Sequence, residues 1–187
     1  MVDVEKRQQA LGRAVDAYTR AINLNPRNDA ALVNLGTVYY QNGQFDDAQR
    51  QVEAGLRINP NDPTGQYVLG TIHLQRDPAT DPQATDRAQA AFEAAIRLDP
   101  NMAVAYTGLA TVNLFKRDYA TALRNAQRSL DLMPGTQDAY VYWALAQAQC
   151  LGSDKAQGRV TIAKIDSLNP QDARFRARVR ELADNCR

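Results

Sequence analysis

Prolines recur along this chain at nearly constant intervals. Five of them are separated by 34, 40, 34 and 36 residues in turn. These are Pro26, Pro60, Pro100, Pro134 and Pro170. Because the residue before a proline is disfavoured in the α region, each of these positions is expected to end a helix. A period of this length predicts an array of similar structural units, and it constrains the fold more strongly than local propensity does.

The same residue types recur at fixed distances from these prolines. Small side chains dominate two registers, and large apolar ones dominate a third, eight residues before the proline. Ten residues after the proline stand Gly36, Gly70, Ala110, Ala144 and Arg180; twelve before it stand Ala14, Ala48, Ala88, Ala122 and Gly158; eight before it stand Tyr18, Val52, Phe92, Ala126 and Ile162. Small residues let two helices approach and large ones fill the groove between them, so each unit is predicted to be an antiparallel helix pair.

Three segments carry a recognisable version of this pattern: NLGTVYY at 34–40, VLGTIHL at 68–74 and GLATVNL at 108–114. They resemble the tetratricopeptide repeat, whose 34 residues have a Leu-Gly pair in the first helix and Ala, an aromatic residue and Ala in the second. The resemblance covers nearly the whole chain. It implies an all-α, right-handed solenoid of antiparallel helix pairs that ends in a capping helix. Repeat five departs most, with Gly158 and Ile162, so we expect its second helix to pack loosely.

We therefore expect a single domain of successive repeats. Its parts are a partial repeat one at 1–26, repeat two at 27–60, repeat three with an insertion at 61–100, repeat four at 101–134, repeat five at 135–170 and a capping helix at 171–187. Residues 1–8 are too short and polar to form a first helix for repeat one, and we expect that helix to lie upstream of this chain. In the insertion, Asp81 and Pro82 are predicted to be the N-cap and first residue of the next helix.

Composition limits the classes of partner. The 22 Lys and Arg residues nearly balance the 21 Asp and Glu residues, giving a formal charge of +1. No overall field therefore favours nucleic acid or an anionic membrane. The apolar runs are far shorter than the roughly 20 residues that span a bilayer, so we expect no membrane insertion of this chain.

Residues for catalysis or metal binding are scarce. His73 is the single histidine and stands where the preceding repeat has Tyr39, so it is predicted to be a core residue. Asp77, Asp81 and Asp86 lack the alternating spacing and central glycine of a calcium loop. With no nucleophile and base at a fixed spacing and no phosphate-binding loop, we expect no enzyme activity, metal or cofactor.

The resemblance implies that the first helices line a concave, partner-binding face. Four registers point into it: Val33, Thr37, Tyr40 and Gln41 in repeat two; Tyr67, Thr71, Leu74 and Gln75 in repeat three; Thr107, Thr111, Leu114 and Phe115 in repeat four; Val141, Leu145 and Gln149 in repeat five. This uncharged set suits an extended or helical peptide. The expected function is a protein-interaction module or adaptor. The alternative is a self-assembling scaffold, in which this face accepts the N-terminal helix of a neighbouring copy.

Cys150 and Cys186 each lie 16 residues after a proline of the array, and so occupy one register of adjacent helices. This placement favours a disulfide, which would staple the last helix to repeat five. The alternative is a pair of reduced, partly buried thiols. A disulfide indicates an oxidising compartment, and we expect a bacterial periplasm with a signal or anchor upstream of Met1; reduced thiols would indicate the cytoplasm.

Overall fold

The computed structural model describes residues 2–76 and 80–187, apart from the side chains of residues 2–4. These residues contain ten helices joined by turns. The helices are α1 (Val2–Leu24), α2 (Asp29–Gln41), α3 (Phe45–Ile58), α4 (Pro63–Leu74), α5 (Ala84–Leu98), α6 (Ala103–Phe115), α7 (Tyr119–Leu132), α8 (Ala139–Leu151), α9 (Lys155–Ser167) and α10 (Ala173–Asn185). The all-α prediction is confirmed. No helix within the described ranges combines the length with the apolarity that crossing a membrane requires.

The helices belong to two compact units. The first, Met1–Pro100, contains α1 to α5, and the second, Asn101–Arg187, contains α6 to α10. In the first unit, α2 pairs with α3, α4 pairs with α5, and α1 packs on α2. In the second unit, α6 pairs with α7, α8 pairs with α9, and α10 packs on α8 and α9. The α2–α3, α6–α7 and α8–α9 connections are only three residues long, so the helices of these pairs run antiparallel.

Close backbone approach holds each pair together. A Cβ atom added to Gly36 of α2 would lie 2.5 Å from Val52 Cγ2 and 2.9 Å from the carbonyl oxygen of Ala48, both on α3. In the next pair, a Cβ atom on Gly70 would lie 2.8 Å from the ring of Phe92. Val52 and Phe92 are almost completely buried. The small and large registers that recur in the sequence therefore meet across each of these two contacts.

Helix starts follow local signals in the sequence. The side chains of six N-cap residues accept hydrogen bonds from backbone N–H groups of the first turn, which are otherwise without intrahelical partners. They are Asn28, Asp62, Asp118, Asp138, Asp154 and Asp172. Pro63 follows Asp62 as the first helical residue, where its missing N–H group costs nothing.

The prediction that α5 begins at Pro82 with an Asp81 cap is wrong. The helix begins at Ala84, and Gln83 at its N-cap makes no side-chain cap bond. Asp81 instead forms an ion pair with Arg87, and its carbonyl accepts a bond of 3.0 Å from the Ala84 N–H group. The ion pair takes the carboxylate away from the capping position. Residues 77–79 of the predicted insertion, including Asp77, lie outside the described residues.

The expectation of loose packing in repeat five is also wrong. On α9, Ile162 is 6% exposed and Ile165 is fully buried. Gly158 lies against two sulfur atoms, since an added Cβ atom would meet Cys150 Sγ at 2.5 Å and Cys186 Sγ at 2.8 Å. The sulfur atoms occupy the space that an alanine methyl group would need, and so the glycine makes the packing close.

His73 is buried, as the sequence predicts, with 5% of its surface exposed. Among the described residues, none hydrogen-bonds to its Nδ1 atom. Burial, followed by the charge of Arg87, lowers the pKa of His73 below its usual 6.5, and Arg76 acts in the same direction. Glu53 and Asp81 oppose this shift. The folded protein therefore favours the neutral imidazole near neutral pH.

The helix contact predicts the effect of enlarging its small residues. Gly36→Leu and Ala88→Leu should each lower the free energy of unfolding by about 1–3 kcal/mol, because the larger side chain forces the paired helices apart. Gly12→Ala is the matched control, since a Cβ atom at Gly12 meets nothing within 4 Å. It should stabilise exposed α1 by about 0.5–1 kcal/mol. Urea titration measures the free energy of unfolding of all three variants. Unchanged stability in both leucine variants would contradict the register assignment.

Lowering the pH should weaken the first unit through His73. The unfolded chain takes up a proton near the ordinary pKa of 6.5, whereas the buried imidazole resists protonation to lower pH. The contribution of His73 to stability is therefore complete above that pH and is lost as the pH falls below it. Between about pH 7.5 and about pH 5.5, the melting temperature of the wild type should fall more than that of His73→Phe. Parallel pH profiles for the two proteins would exclude this coupling.

Candidate functional site

The residues predicted to bind a partner lie on the first helix of each pair, in two sets that belong to different units. The unit 1 ladder comprises Val33, Thr37, Tyr40 and Gln41 on α2 with Tyr67, Thr71, Leu74 and Gln75 at the same registers of α4. The unit 2 ladder comprises Thr107, Thr111, Leu114 and Phe115 on α6 with Val141, Leu145 and Gln149 on α8. Each ladder is uncharged.

In the unit 1 ladder, one residue belongs to the core and the others reach the surface. Val33 is 2% exposed, because its Cγ2 atom fills the space beside Gly55 of α3. Gln41 and Gln75 are exposed. The remaining five are half-buried: Thr37, Tyr40, Tyr67, Thr71 and Leu74. A partner can therefore contact seven of the eight predicted side chains.

Hydrogen bonds within the unit 1 ladder determine what it can offer to a partner. The Thr37 hydroxyl donates to the Val33 carbonyl at 3.0 Å, and the Thr71 hydroxyl donates to the Tyr67 carbonyl at 2.9 Å. These donors are used within their own helices, which leaves the hydroxyl oxygens as acceptors.

Tyr40 joins the two helices of this ladder. Its hydroxyl accepts a bond of 3.3 Å from Gln75 Nε2 across α2 and α4. Burial raises the pKa of Tyr40 above its ordinary value, so its phenol stays protonated near neutral pH. The ring therefore presents a neutral hydroxyl donor, and the ladder as a whole offers apolar surface with a few polar groups.

In the unit 2 ladder, α6 supplies the accessible residues. Thr107 and Ser129 of α7 share a hydrogen bond of 2.8 Å between their hydroxyls, and the Thr111 hydroxyl donates to the Thr107 carbonyl at 3.0 Å. Leu114 is half-buried, whereas Phe115 is 63% exposed. An exposed phenylalanine next to a partly exposed leucine forms an apolar projection at the end of α6.

The residues predicted in repeat five do not reach the surface. Val141, Leu145 and Gln149 are 3%, 6% and 6% exposed. Leu145 belongs to the buried cluster formed with Ala110 and Ala126, and Gln149 Oε1 accepts a bond of 2.7 Å from the Thr161 hydroxyl. Counted from the prolines, the other repeats have threonine at the register of Leu145. The leucine side chain packs into the core instead. Val141 and Leu145 therefore stabilise the fold, whereas Gln149 lines a surface depression beside the α6–α7 and α8–α9 turns.

An aromatic cluster at the end of the second unit was missed by the sequence argument. The Phe175 ring of α10 lies 4.3 Å from the Tyr140 ring and 5.7 Å from the Trp143 ring, centroid to centroid. The Arg178 guanidinium lies over Trp143, 5.3 Å from its centroid. The dense run of aromatic residues at 140–143 was the available signal. This cluster fastens α10 to α8.

Side chains capable of chemistry are dispersed. Among residues 2–76 and 80–187, no three His, Cys, Asp or Glu side chains come together as metal ligands. A depression of about 430 Å³ lies beside the α6–α7 and α8–α9 turns. Its lining mixes Arg117 with Asp118 and Asp154, and both carboxylates cap helices. One guanidinium and two carboxylates leave the depression with a small excess of negative charge.

Known proteins share the pattern and the fold. Residues 7–72 match the family model described as tetratricopeptide repeat. Anaphase-promoting complex subunit 3 of Schizosaccharomyces pombe is 22% identical over 166 residues, covering 89% of this chain and 24% of that protein. The chain therefore spans about a quarter of the length of this relative.

Solved structures of other proteins share this fold. A thermophilic protein of Thermus thermophilus superposes with a TM-score of 0.73 at 19% identity, covering 96% of this chain and 95% of that one. A chain of the Cut9–Hcn1 hetero-tetramer of the anaphase-promoting complex superposes with a TM-score of 0.80 at 18% identity, covering 96% of this chain and 34% of that one. At these identities the likeness establishes the fold.

Proposed function

Because this chain is a tetratricopeptide-repeat protein, we propose that it is a protein-interaction module without catalytic activity, which binds a peptide or protein segment on its first helices. The observation that carries the proposal is the uncharged, accessible surface of the two ladders. Its most exposed apolar point is Phe115, at 63%. A large exposed aromatic side chain beside other apolar groups is typical of a binding surface.

The chemistry of the ladders indicates the kind of segment that fits. Half-buried Tyr67, Leu74 and Leu114 offer apolar contacts, and exposed Gln41 and Gln75 offer amide donors and acceptors. A charged segment would lose hydration there without gaining an ion pair from the ladder residues. We therefore expect an extended or helical peptide with apolar side chains and few charges.

The relatives support an interaction role in general terms. One is named as a subunit of a multi-protein complex, and another was solved within a hetero-tetramer. Both are proteins whose names describe assembly with other chains. We extend that general role to this chain.

Charge introduced into the unit 2 ladder should abolish partner binding. Leu114→Asp with Phe115→Asp places two carboxylates on the apolar projection, while the half-buried and exposed positions tolerate the change. Val160→Asp is the matched control, because Val160 is 61% exposed but lies on second helix α9. In proximity labelling of cells, partners should be retained by the control and lost from the double variant, with equal helicity by circular dichroism. An unchanged set of partners in the double variant would place the binding site elsewhere.

We also propose that the protein works in an oxidising compartment such as a bacterial periplasm, with Cys150 and Cys186 joined. Both cysteines are buried and lie next to Gly158, where alanine is the usual residue of this register. Two neighbouring bonds hold the same end of the chain: Lys155 Nζ donates to the Arg187 carbonyl at 3.1 Å, and the Arg159 guanidinium donates to the Cys186 carbonyl at 3.0 Å. The staple and these bonds fasten α10 to the α8–α9 pair.

The natural protein should contain no free thiol, even when unfolded. Because the two cysteines are 36 residues apart, their crosslink should contribute roughly 3–4 kcal/mol by restricting the unfolded chain. Reductant should therefore lower the melting temperature. Titration in denaturant without prior reduction measures the number of free thiols. Two free thiols would contradict the disulfide and indicate a reducing compartment.

A substitution at Gly158 is an independent test of the disulfide. Gly158→Ala should destabilise the oxidised protein, because the added methyl group meets both sulfur atoms. The cost should be smaller in a Cys150→Ala, Cys186→Ala background, in which the sulfur atoms are absent. Equal costs in the two backgrounds would show that the glycine is needed for another reason.

A further inference from the structure

Helix α8 begins later, relative to its proline, than the other first helices of the array. Helices α2, α4, α6 and α10 each start three residues after the preceding proline, whereas α8 starts at Ala139, five residues after Pro134. The turn before α8 is therefore two residues longer. Equivalent positions of α6 and α8 differ by 36 residues, as their first residues Ala103 and Ala139 do.

The burial of α8 agrees with this count from the helix starts. Val141 corresponds to Ala105 and Gln149 corresponds to Asn113, and all four residues are buried. In both helices these positions face the core. The α8 residues at the ladder positions are therefore different from those that the proline spacing indicates.

Three other residues of α8 occupy the ladder positions. They are Trp143, Gln147 and Leu151, which correspond to Thr107, Thr111 and Phe115 of α6. Exposure follows the same order in the two helices, since the first two residues of each set are half-buried and the third is exposed. The surface of the unit 2 ladder thus continues from α6 onto α8 through these three side chains.

Trp143, Gln147 and Leu151 form one wall of a groove of about 240 Å³, and α10 forms the other wall through Arg178, Glu181, Leu182 and Asn185. The Arg178 guanidinium lies over the Trp143 ring, 5.3 Å from its centroid, and holds the indole in place. Leu151 is 43% exposed. Pockets for small-molecule ligands measure about 300–1,000 Å³, so an open groove of this size suits a single side chain of a larger partner.

We propose that this groove binds an extended segment of a partner protein. One large apolar side chain of the segment packs against Trp143 and Leu151, and its backbone forms hydrogen bonds with the side-chain amides of Gln147 and Asn185. The groove continues the unit 2 ladder, so the proposal rests on the proposed function. It narrows the occupant from an extended or helical peptide to an extended one.

The two amide side chains are the reason for an extended occupant. Neither is hydrogen-bonded to another side chain or to the backbone within residues 2–76 and 80–187. Each amide offers two donors and an acceptor. An extended segment leaves its N–H and C=O groups free to pair with such amides, whereas a helix uses them internally. Because Gln147 and Asn185 stand on opposite walls, a segment lying along the groove can pair with both.

The charges of the groove favour a segment with few charges. Arg178 and Glu181 contribute one charge of each sign to the α10 wall. An excess of either sign on the partner therefore gains no net attraction there. The apolar contact and the backbone bonds are left to determine which segments bind.

The chain carries its own reporter of this groove, because Trp143 is its single tryptophan. The probe is the tightest binder from a phage-displayed library of random tryptophan-free peptides, selected on the whole chain and then synthesised. The selected sequences should share a large apolar residue. Titration with this peptide should change the Trp143 emission of the wild type in a saturable way.

A charge at the rim of the groove should weaken this binding. Leu151→Asp removes the apolar contact and should raise the Kd of the peptide by about tenfold or more. Val160→Asp is the matched control, because Val160 is 61% exposed but lies on α9. It should bind as the wild type does. Circular dichroism and melting temperature establish that both variants are folded.

Methylation of the peptide backbone tests the extended conformation. Each N-methyl group removes one N–H donor, and at one position or more it should raise the Kd by about tenfold. The penalty at that position should shrink in Gln147→Ala or in Asn185→Ala, where the accepting amide is absent. Gln157→Ala, at an exposed position of α9, is the control and should show the full penalty.

Equal binding of the peptide to wild type and Leu151→Asp would overturn the proposal. So would N-methyl penalties that are absent, or equal in every background. If sedimentation shows mass rising with concentration, and Leu151→Asp alone abolishes the rise, a second copy occupies the groove and the proposal is wrong.

The variant of Leu114 and Phe115 separates this proposal from the proposed function. If proximity labelling shows partners lost from that variant but retained by Leu151→Asp, the ladder binds partners and the groove does not. If both variants retain all partners, both proposals fail. Loss of partners from both variants, with retention by Val160→Asp, is the expected result.

Discussion

The close contact between the two helices of a pair is the interaction on which the rest of this structure depends. At Gly36 and Gly70 the backbone of a first helix comes so near to Val52 or Phe92 that a single methyl group would collide. Such an approach excludes water from the large side chain and aligns the paired helices along their length. It also determines which side of each first helix is left for other contacts.

That remaining side is where the ladders lie, and their chemistry follows from the helix itself. Thr37 and Thr71 donate their hydroxyl hydrogens to carbonyls of their own helices. Residues that would otherwise be strongly polar therefore contribute methyl groups and weak acceptors. Together with Tyr67 and Leu74, they form a surface that favours apolar partners and discriminates mainly by shape. The absence of charge from the ladders makes long-range attraction a minor influence on binding.

The first and last helices of the chain differ in the residues on their outer faces. On α10, Phe175 is covered by the rings of Tyr140 and Trp143, and the Cys150–Cys186 disulfide that we propose beside Gly158 would fasten this helix to the α8–α9 pair. Arginines on the outer side of α10 keep that face solvated. By contrast, α1 retains an alanine and tyrosine face without a covering helix among the described residues. The outer face of α10 is thus charged and solvated, whereas this face of α1 consists of alanines and one tyrosine.

The sequence by itself determined the period, the helix pairs and the helix ends before the five prolines, because prolines and small residues act on their own or adjacent turns. Only the tertiary structure decided which register positions are exposed. Counted from the prolines, Gln149 shares its register with exposed residues and Leu145 shares its register with half-buried threonines, yet both are buried because of what other helices pack against them. Likewise, Asp81 pairs with Arg87 instead of capping α5, and Gly158 makes room for two sulfur atoms. Local helix propensity depends on neighbouring residues in the sequence, whereas burial depends on which helices the fold packs against a residue.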